Sequence, residues 1–577
     1  MPLSRLVFAG LAGLFALACG AEPQAQAPSA PALQPAPLVV PPAPSPKKTL
    51  SFLGLNDLHG RIKALPAFSG YVANVRRVRA VDGGGVAIVD AGDMFQGTLE
   101  SNLSEGASVL KAYRALGVTV AALGNHEFDF GPEGDSALGD PQGAIKARIR
   151  EAPMPMLSAN LVLRGSHDSP LWDKLQRSVI VEIAGVRVGF VGLLTRETPS
   201  IVQAAWFAGL DVDELAPVLE KEARALRAAG AEVVVAVAHA GADCQDCSVA
   251  TDLTSCAPGA EIFQVARALP PKLVDAIFAG HTHAGVAQIV NGIPIAEAYA
   301  RGRAFSRIDL ELDGATHRVD KSVVYPPHDL CPKLADGGGC PLSEYEGQAV
   351  VEDPALITAI APALAQADTV RKAPLGSTLS EPIVGAHDRE SPLGNLFADL
   401  LREAVKGADG AIVNGGTLRS DLPAGALDYG QLFEAMPFDN TVATIALTGK
   451  ELKQLLARHL SRDAHGLVSV SGFRVKARCG NTGLEVSLQR NNGKSVADGE
   501  TLRLATSDYL ATGGDDLVTA LKLAPERIQI DAAQSFRDAL ARALKRHPRL
   551  SPQDPALFDP KKPRLALSTP RPIVCEN

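Results

Sequence analysis

Residues 50–60, LSFLGLNDLHG, join a short apolar run to a pair of polar side chains that bind metals. The apolar run predicts a strand over Leu50–Leu55 that is buried on both faces, as central strands of α/β proteins are. Asp57 and His59 follow it directly, and Gly60 lets the backbone turn sharply. A buried strand that ends in metal-binding groups is therefore the unit from which the rest of the chain is interpreted.

Similar apolar runs recur before residue 345, and helical segments such as Asp213–Ala229 lie between some of them. The further predicted strands are Val86–Val89, Thr119–Leu123, Val179–Ile183, Val186–Leu193, Glu232–Ala238 and Val274–Ala279. Buried strands that alternate with helices place the chain in the α/β class.

Metal-binding side chains recur at the ends of five predicted strands. They are Asp57 and His59, Asp93, Asn125 and His126, His239, and His281 and His283. Each motif alone is weak evidence, because Gly-Asn pairs often form turns and single histidines often have structural roles. Together they lie at the strand ends where α/β sheets bind ligands. Carboxylate, amide and imidazole donors suit borderline-hard divalent ions, so the sequence predicts a zinc or manganese centre.

Four motifs resemble those of the calcineurin-like metallophosphoesterases and, more narrowly, of the 5′-nucleotidase family: NDLHG at 56–60, GDMFQGT at 92–98, GNHEFD at 124–129 and GHTH at 280–283. The resemblance implies a two-domain α/β protein. Its N-terminal metallophosphoesterase domain, at 49–345, would be a β-sandwich flanked by helices in αββα order. A connector helix at 353–372 would lead to a smaller α/β substrate-binding domain at 373–549.

The resemblance also implies two divalent ions and a catalytic dyad. Asp57, His59 and His283 would hold the first ion, Asn125, His239 and His281 the second, and Asp93 would bridge the two. His126 and Asp129 would form the dyad, in which the imidazole stabilises the transition state or protonates the leaving oxygen. The alternative for Asp129 is an ordinary surface carboxylate.

Two loops of the second domain resemble the substrate-binding loops of the family. In the first, a Gly-Gly turn lies beside Asn414 and Arg419, whose backbone N–H groups and guanidinium can bind phosphate. The second loop, DYLATGGD at 508–515, would bind a ribose hydroxyl through Asp515. Phe438 and Tyr509 would hold the base between their rings, unless they are ordinary core aromatics.

One position departs from the family pattern. Relatives place a phosphate-binding arginine about four residues before a segment like SPLGN at 391–395, where this chain has His387. Arg389 is the expected substitute, two residues further along. A neutral imidazole holds a phosphate dianion less firmly than a guanidinium does. The departure leaves diesters, pyrophosphates and 2′,3′-cyclic nucleotides open as substrates.

The function implied by the resemblance is an exported, dinuclear-metal phosphohydrolase that acts on nucleotides or nucleotide sugars. Two alternatives stay open: a 2′,3′-cyclic-nucleotide 2′-phosphodiesterase/3′-nucleotidase, and a lipoprotein that binds nucleotides or metals without turnover. The net charge of −8 argues against a nucleic-acid polymer as the partner. The oligomeric state stays open as well.

Residues 1–19, MPLSRLVFAGLAGLFALAC, have the parts of a secretory signal peptide, and Cys19 resembles the acylated cysteine of bacterial lipoproteins. We therefore expect an exported protein, periplasmic or at the outer membrane or cell surface, that contacts the membrane through a lipid on Cys19. Ordinary cleavage and release is the alternative. Residues 20–48 are rich in proline and alanine and predict an extended tether.

Export places the remaining cysteines in an oxidising compartment, where disulfides are the default. Cys331 and Cys340 are a plausible local pair, and Cys479 with Cys575 would fix the Pro-rich tail at 550–577. Among Cys244, Cys247 and Cys256 one thiol is left over. The Cys-x-x-Cys spacing of 244–247 leaves redox or metal chemistry open there.

Overall fold

The computed structural model describes residues 47–134, 139–331, 342, 344–462, 466–480, 483–569 and 571–575. The predicted signal peptide and nearly all of the predicted tether lie outside these residues, as does Cys340 of the predicted Cys331–Cys340 pair. Among the described helices, none combines the length and the apolar character needed to cross a membrane.

Two mixed sheets form the N-terminal domain. Across the first, the strands are Val319–Asp329, Ala304–Leu312, Lys48–Leu55, Gly85–Asp90, Val120–Ala122, Met156–Leu157 and Leu175–Gln176. Across the second, they are Gly285–Val290, Ile293–Ala298, Ala276–Phe278, Val233–His239, Val186–Leu194 and Ser178–Ile183. Neighbouring strands run parallel in the middle of both sheets and antiparallel at one or both margins. Each strand predicted in this half of the chain is present, with its ends shifted by at most a few residues.

The two sheets pack face to face around an apolar layer. Phe52 of the first sheet meets Phe190 and Phe278 of the second, with ring centroids 6.2 and 6.4 Å apart. Leu53 points the opposite way and packs in the cluster that contains Phe68. This alternation follows from the two-residue period of a strand, and it explains why the strand of residues 50–55 carries large apolar side chains on both faces.

Helices cover the outer faces of the sandwich. The helices of this domain are Leu65–Asp82, Leu99–Asn102, Ala107–Leu116, Gly143–Glu151, Thr198–Ile201, Leu215–Ala228 and Glu261–Ala268. Helices Leu65–Asp82, Ala107–Leu116 and Gly143–Glu151 pack on the outer face of the first sheet. Helices Leu215–Ala228 and Glu261–Ala268 pack on the outer face of the second. The order helix, sheet, sheet, helix confirms the predicted αββα class. Two short ribbons complete the domain, Leu161–Leu163 with Leu210–Val212 and Glu344–Tyr345 with Gln348–Ala349.

The predicted connector is the helix Pro354–Arg371, which Asp353 caps through the backbone N–H groups of Ala355 and Leu356. Its first half packs on the N-terminal domain through buried side chains such as Leu356. Near its end, Ala367 lies in a small cluster with Leu99 and Phe433, one from each domain.

A smaller α/β domain follows. Its main sheet contains Ser469–Ser471, Gly410–Val413, Thr501–Ser507, Thr441–Thr448 and Ile528–Ser535 in that order. Two small sheets, Gly425–Asp428 with Pro374–Leu379 and Arg549–Leu550, and Gly483–Arg490 with Phe473–Gly480 and Leu565–Leu567, flank it. Helices Pro392–Ala404 and Phe536–Leu544 cover one face of the main sheet and Gly449–Leu460 the other. The short helices Tyr429–Ala435 and Asp508–Ala511 complete it.

The tail takes part in this domain. Leu565–Leu567 pairs in parallel with the strand Phe473–Gly480, and the predicted disulfide between Cys479 and Cys575 is confirmed. In the N-terminal domain, Cys244 is bonded to Cys256 and Cys247 is a free thiol. The Cys-x-x-Cys residues are therefore not a bonded pair, and the redox alternative loses its basis in this structure.

Candidate metal and nucleotide site

The predicted metal ligands meet where the carboxyl ends of both sheets come together. Asp57, Asp93 and Asn125, with their neighbours His59 and His126, follow strands of the first sheet. The others follow or end strands of the second: His239 is the last residue of Val233–His239, and His281 and His283 come after Ala276–Phe278. The apolar runs predict the strand ends correctly, but they do not indicate which of the two sheets supplies each residue.

The backbone at the ligands is held in an unusual conformation. Asp57, His59, Asp93, His281 and His283 all have positive φ angles, from 48° to 82°. Non-glycine residues rarely adopt this region, and each such residue costs about 1–3 kcal/mol, so a cluster of them indicates a functional site. Main-chain hydrogen bonds hold these turns: the Asp57 N–H donates to Gly92 O at 2.9 Å, and the His59 N–H donates to Asp93 O at 3.0 Å.

The side chains converge on two neighbouring positions. Asp57, His59 and His283 offer donor atoms within 4.8 Å of one another, and so do Asp57, Asp93 and His239. The Nε2 atoms of His59 and His283 lie 3.1 Å apart, and Nε2 of His239 lies 3.0 Å from Asn125 Oδ1. Within the described residues, the buried Oδ1 of Asp57 has one polar neighbour, Nε2 of His283 at 3.3 Å. A cation among these atoms would satisfy them all, so the donor set fits divalent ions.

Hydrogen bonds behind the cluster orient two of the histidines. Nδ1 of His59 lies 2.8 Å from Gln96 O, and Nδ1 of His239 lies 2.8 Å from Ala91 O. A carbonyl oxygen accepts a hydrogen bond from Nδ1–H, so Nε2 is the ring nitrogen that faces the ion site. Although burial lowers the pKa of His239, the charge of Asp93 raises it to about 10, so an ion that binds there displaces the Nε2 proton. His281 differs, because its Nε2 lies 3.1 Å from Glu197 Oε2 and its ring centroid lies 5.1 Å from that of His239.

The charges of the cluster favour a cation. Although burial raises the pKa of Asp57, hydrogen bonding to His283 and the charge of His239 lower it to about 2. Burial opposes ionisation of Asp93 as well, but His239 and His126 hold its pKa well below the usual range. Burial lowers the pKa of His59 far below its usual value. At neutral pH the cluster therefore presents two carboxylates and an uncharged imidazole, which are the forms that bind metals.

His126 and Asp129 form the contact expected of the dyad. Nδ1 of His126 lies 2.5 Å from Asp129 Oδ2, while its Nε2 lies 3.9 Å from Asp93 Oδ2. Burial lowers the pKa of His126, but the charges of Asp129 and Asp93 outweigh it and raise the pKa overall. His59, Asp93 and His126 also offer donor atoms within 4.8 Å of one another. By distance alone, His126 is therefore also placed to bind a metal.

Glu127 lies in the GNHEFD motif, but no role for its side chain follows from the motif itself. The buried carboxylate accepts hydrogen bonds from four backbone N–H groups. Oε2 accepts from Asp93 at 2.9 Å and Gly124 at 2.6 Å, and Oε1 accepts from Met94 at 2.7 Å and Phe95 at 3.2 Å. It thus joins the loop after one strand to the loop after the next. Burial and the charge of Asp93 raise the pKa of Glu127 to about 7.

Two further polar side chains lie behind the ligands. Asn56 donates to Asp57 Oδ2 at 2.8 Å and to Tyr299 O at 2.6 Å, which fixes the Asp57 carboxylate. Glu297 accepts from the Thr282 hydroxyl at 2.8 Å, between the two histidines of the GHTH motif. Burial and the charge of Asp57 raise the pKa of Glu297 to about 8. No motif indicates the role of Glu297, and that of Asn56 depends on Tyr299, which lies 243 residues further along the chain.

One cavity of about 510 Å³ brings the metal cluster and the predicted substrate loops together. Its volume lies within the range of about 300–1,000 Å³ usual for small-molecule sites. The predicted residues that line it are Asp93, Asn125, His126, Asp129, His281, His283, Asn414, Arg419, Phe438, Tyr509 and Asp515. The rings of His126 and Phe438 lie 6.0 Å apart, so the dyad and the aromatic residue of the second domain are neighbours.

Side chains of the second domain hold one another in this cavity. Asp515 accepts from the Tyr509 hydroxyl at 2.6 Å and from Asn414 Nδ2 at 2.8 Å. The guanidinium of Arg419 lies 5.0 Å from the centre of the Phe438 ring. A planar cation, an amide and a carboxylate therefore lie beside two aromatic rings, an arrangement that can bind phosphate, ribose and base at once.

Arg389 does not line this cavity. Its side chain is 75% exposed, lies beside Asp388 and borders a separate neighbouring cavity. His387 borders both cavities, so the histidine, and not Arg389, faces the site. Lining residues that no motif indicated include Ile201, Gln203 and Trp206 of the first domain and Asn440 of the second.

Two family models match the chain. Calcineurin-like phosphoesterase matches residues 50–285, and 5′-nucleotidase, C-terminal domain, matches residues 374–523. Together the two matches take in more than half of the 577 residues.

Relatives match both domains. The chain is 24% identical to Protein UshA of Yersinia enterocolitica, over 89% of this chain and 93% of that protein. It is 26% identical to the snake venom 5′-nucleotidase of Naja atra, over 74% of this chain and 81% of that one. Endonuclease YhcR of Bacillus subtilis is 25% identical over 82% of this chain. The match covers only 38% of the length of YhcR.

The fold matches a solved structure over nearly its whole length. The crystal structure of the 5′-nucleotidase precursor from Thermus thermophilus is similar with a TM-score of 0.69 and 22% identity, over 90% of this chain and 99% of that one. At this identity the likeness establishes the fold. With the two domain matches and the full-length relatives, it shows that the chain belongs to the 5′-nucleotidase family, whose members are metal-dependent phosphoester hydrolases.

Proposed function

We propose that this protein is an exported phosphohydrolase that uses two divalent ions to hydrolyse nucleoside 5′-monophosphates to nucleoside and phosphate, with nucleotide sugars as further substrates. The observation that carries the proposal is the cavity of about 510 Å³, which is lined both by the metal cluster and by Asn414, Arg419, Phe438, Tyr509 and Asp515. A metal centre alone would be compatible with many phosphoester substrates. The aromatic rings and the carboxylate beside it favour a nucleotide, because they can contact a base and a ribose.

Seven residues are assigned to the ions. Asp57, His59 and His283 would hold one, Asn125, His239 and His281 the other, and Asp93 both. Zinc or manganese suits these nitrogen and oxygen donors. Such ions supply Lewis-acid activation of water and neutralise charge on the phosphoryl oxygens.

His126 has the position and the partner of a general acid. A water oxygen attacks phosphorus as the bond to the ester oxygen breaks, and the leaving oxygen takes a proton from Nε2 of His126. Asp129 holds Nδ1 of the same ring and stabilises its charged form. The products are a nucleoside with a free 5′-hydroxyl and inorganic phosphate.

The second domain would bind the nucleoside and assist at the phosphate. Phe438 and Tyr509 would stack on the base, a contact worth about 1–3 kcal/mol that accepts any base. Asp515 would accept a hydrogen bond from a ribose hydroxyl, and Arg419 with Asn414 would contact the phosphate.

The sequence of residues 1–19 supports the proposed export and anchoring. The apolar run before Cys19 supports a secreted protein, periplasmic or at the outer membrane or cell surface, and acylation of Cys19 would attach it to a membrane. Labelling with a radioactive fatty acid in cells that express the wild type or Cys19→Ala tests the anchor. Label on both proteins, or on neither, would contradict it.

A second candidate is a 2′,3′-cyclic-nucleotide 2′-phosphodiesterase/3′-nucleotidase. It is favoured by His387, which faces the cavity where relatives are expected to carry an arginine, while Arg389 points away. A site with fewer guanidinium groups binds a terminal phosphate dianion less tightly. Its affinity for a cyclic diester falls less, because the diester carries only one negative charge.

Phosphate release from AMP, a UDP-sugar and 2′,3′-cyclic AMP by the full-length protein with Mn²⁺ or Zn²⁺ distinguishes these candidates. A phosphatase is added only to the reactions with 2′,3′-cyclic AMP and the UDP-sugar, to release phosphate from their monoester products, and is left out of the reaction with AMP. Fastest release from AMP supports the nucleotidase, and reaction of the cyclic substrate alone supports the second candidate. Nucleotide binding with no release from any substrate would instead indicate a non-catalytic binding protein and overturn both.

A further inference from the structure

The cavity has a third wall that comes from the first domain. Ile201 and Trp206 line it together with Phe438 and Tyr509 of the second domain. Ile201 is the last residue of the short helix Thr198–Ile201, and Trp206 lies in the turns that follow it. They are the apolar side chains that the first domain contributes to this cavity, beside polar residues such as Glu197, Gln203 and Thr282 and the predicted metal ligands.

The Trp206 ring is fixed in place by its surroundings. Its Nε1 edge packs on Gly131, where a Cβ atom would lie 2.5 Å from that nitrogen and where the backbone has a φ of +66°. The Trp206 N–H donates to Gln203 O at 2.9 Å, and Gln142 Nε2 donates to Trp206 O at 3.0 Å. Gly131 therefore makes room for the indole, two residues after Asp129 of the dyad.

The same segment is joined to the aromatic loop of the second domain. Gln203 Nε2 donates to Asp508 Oδ2 at 3.3 Å, next to Tyr509. Asp508 is buried and also accepts from the Thr441 hydroxyl at 2.8 Å and Asn440 Nδ2 at 3.1 Å. The position of Trp206 relative to Tyr509 is therefore set by contacts across the boundary between the domains.

We infer that Trp206 is a specificity-determining residue which, with Ile201, forms a third apolar wall for the nucleobase. The inference rests on the proposed function and deepens it: the site selects phosphoesters whose leaving group carries an aromatic base, and it favours a purine over a pyrimidine. A purine has the larger face, so it buries more apolar area against a third wall.

Tryptophan fluorescence tests the contact without turnover. The chain has two tryptophans, and the other, Trp172, packs on Phe128 outside the lining of the cavity. In a Trp172→Phe variant, Trp206 is the only indole. We expect saturable quenching when a non-hydrolysable methylene phosphonate analogue of AMP is added, and no quenching with ribose 5-phosphate. Unchanged emission with the AMP analogue would overturn the inference.

Kinetics separate a base contact from structural support of the dyad. We expect Trp206→Ala to raise KM for AMP about tenfold, since stacking on one base is worth about 1–3 kcal/mol. The increase for CMP should be smaller, and kcat/KM for ribose 5-phosphate, which has no base, should not change. Trp206→Phe keeps a ring there and should restore most of the binding.

Two outcomes count against the inference and one against the proposed function. An equal loss of kcat on AMP and ribose 5-phosphate in Trp206→Ala would assign the residue to support of the 129–131 turn. An unchanged KM for AMP would remove the contact altogether. If the wild type hydrolyses neither compound, the proposed function fails, while quenching by the AMP analogue still decides whether Trp206 contacts the base.

Discussion

Two parts of the site are held together in different ways. The metal wall comprises the proposed metal ligands with His126 and Asp129, and the base wall comprises Ile201, Trp206, Asn414, Phe438, Tyr509 and Asp515. On the metal wall, main-chain hydrogen bonds between neighbouring strand ends, such as that from the Asp57 N–H to Gly92 O at 2.9 Å, fix the ligands. On the base wall, side chains hold side chains across long separations: Asn414 and Asp515 are 101 residues apart and meet at 2.8 Å. The metal wall thus belongs to one rigid sandwich, while the base wall depends on loops from two domains.

This difference predicts that substitutions on the two walls will have different kinetic effects. Changes on the metal wall should affect metal binding or the rate of the chemical step, because they alter groups at the phosphoryl centre. Changes on the base wall should raise KM for nucleotides and spare substrates that have no base. The following experiments examine that division, beginning with the largest effect.

His126→Ala should cause the largest loss. Removal of the proposed proton donor should lower kcat for AMP about a hundred- to ten-thousand-fold, while KM and the metal content stay nearly unchanged. Steady-state kinetics and elemental analysis of the same preparation measure both. Loss of one metal equivalent in the variant would contradict the dyad and make His126 a ligand, a position that its spacing from His59 and Asp93 permits.

Glu127→Gln should weaken metal binding, although Glu127 is not one of the proposed metal ligands. The amide replaces one carboxylate oxygen by an NH₂ group, which then faces backbone N–H donors and loosens the turn at Asp93. Changes of this kind behind a ligand typically cost about 10–100-fold in affinity. Titration with Mn²⁺, followed by its electron paramagnetic resonance signal, gives the affinity directly.

The matched control for this experiment is Glu182→Gln, because Glu182 is an exposed glutamate on a strand of the same domain. Equal Mn²⁺ affinity in Glu127→Gln, Glu182→Gln and the wild type would mean that the four backbone contacts of Glu127 stabilise only the fold.

Tyr509→Phe examines the base wall and should have a smaller effect. It removes the hydroxyl that donates to Asp515 at 2.6 Å but keeps the ring. A hydrogen bond to a charged group is worth about 1.5–3 kcal/mol, and partial replacement by water should leave an increase in KM for AMP of about fivefold. p-Nitrophenyl phosphate, which has neither base nor ribose, is the control substrate. A parallel loss of kcat on it would contradict the division between the walls.

The two walls also differ in how far the sequence predicts them. The strands and the ligands at their ends follow from apolar runs and from motifs that are local in the chain. Glu127 lies in such a motif, but its four N–H partners exist only once two loops are side by side. Arg389 is the converse case, because the sequence predicts a site residue that the structure places outside the cavity. It lies in a loop two residues after His387, and a loop has no periodicity that predicts which way a side chain points. Trp206 has no motif, because its role depends on Gly131 and on a contact with the other domain.

The smallest effect concerns the scaffold behind the base wall. Glu451, in the first turn of the helix Gly449–Leu460, accepts hydrogen bonds from Arg527 Nη2 at 2.6 Å and Nη1 at 2.8 Å. The hydrogen bonds with Arg527 lower the pKa of Glu451 from 4.5 to about 2. Because the folded-state pKa is the lower one, ionised Glu451 stabilises the fold above pH 4.5, and this contribution disappears as the pH falls towards 2.

Glu451→Gln should therefore lower the free energy of unfolding at pH 7 by about 1 kcal/mol, since the pair is partly exposed and screened by solvent. At pH 3 the difference from the wild type should be smaller, because the wild-type protein has lost part of the stabilisation that the variant never had. Urea unfolding at the two pH values measures it. An equal difference at both would mean that packing, and not the charge of Glu451, stabilises this helix. Mn²⁺ affinity should be unchanged, because no part of the metal wall depends on this pair.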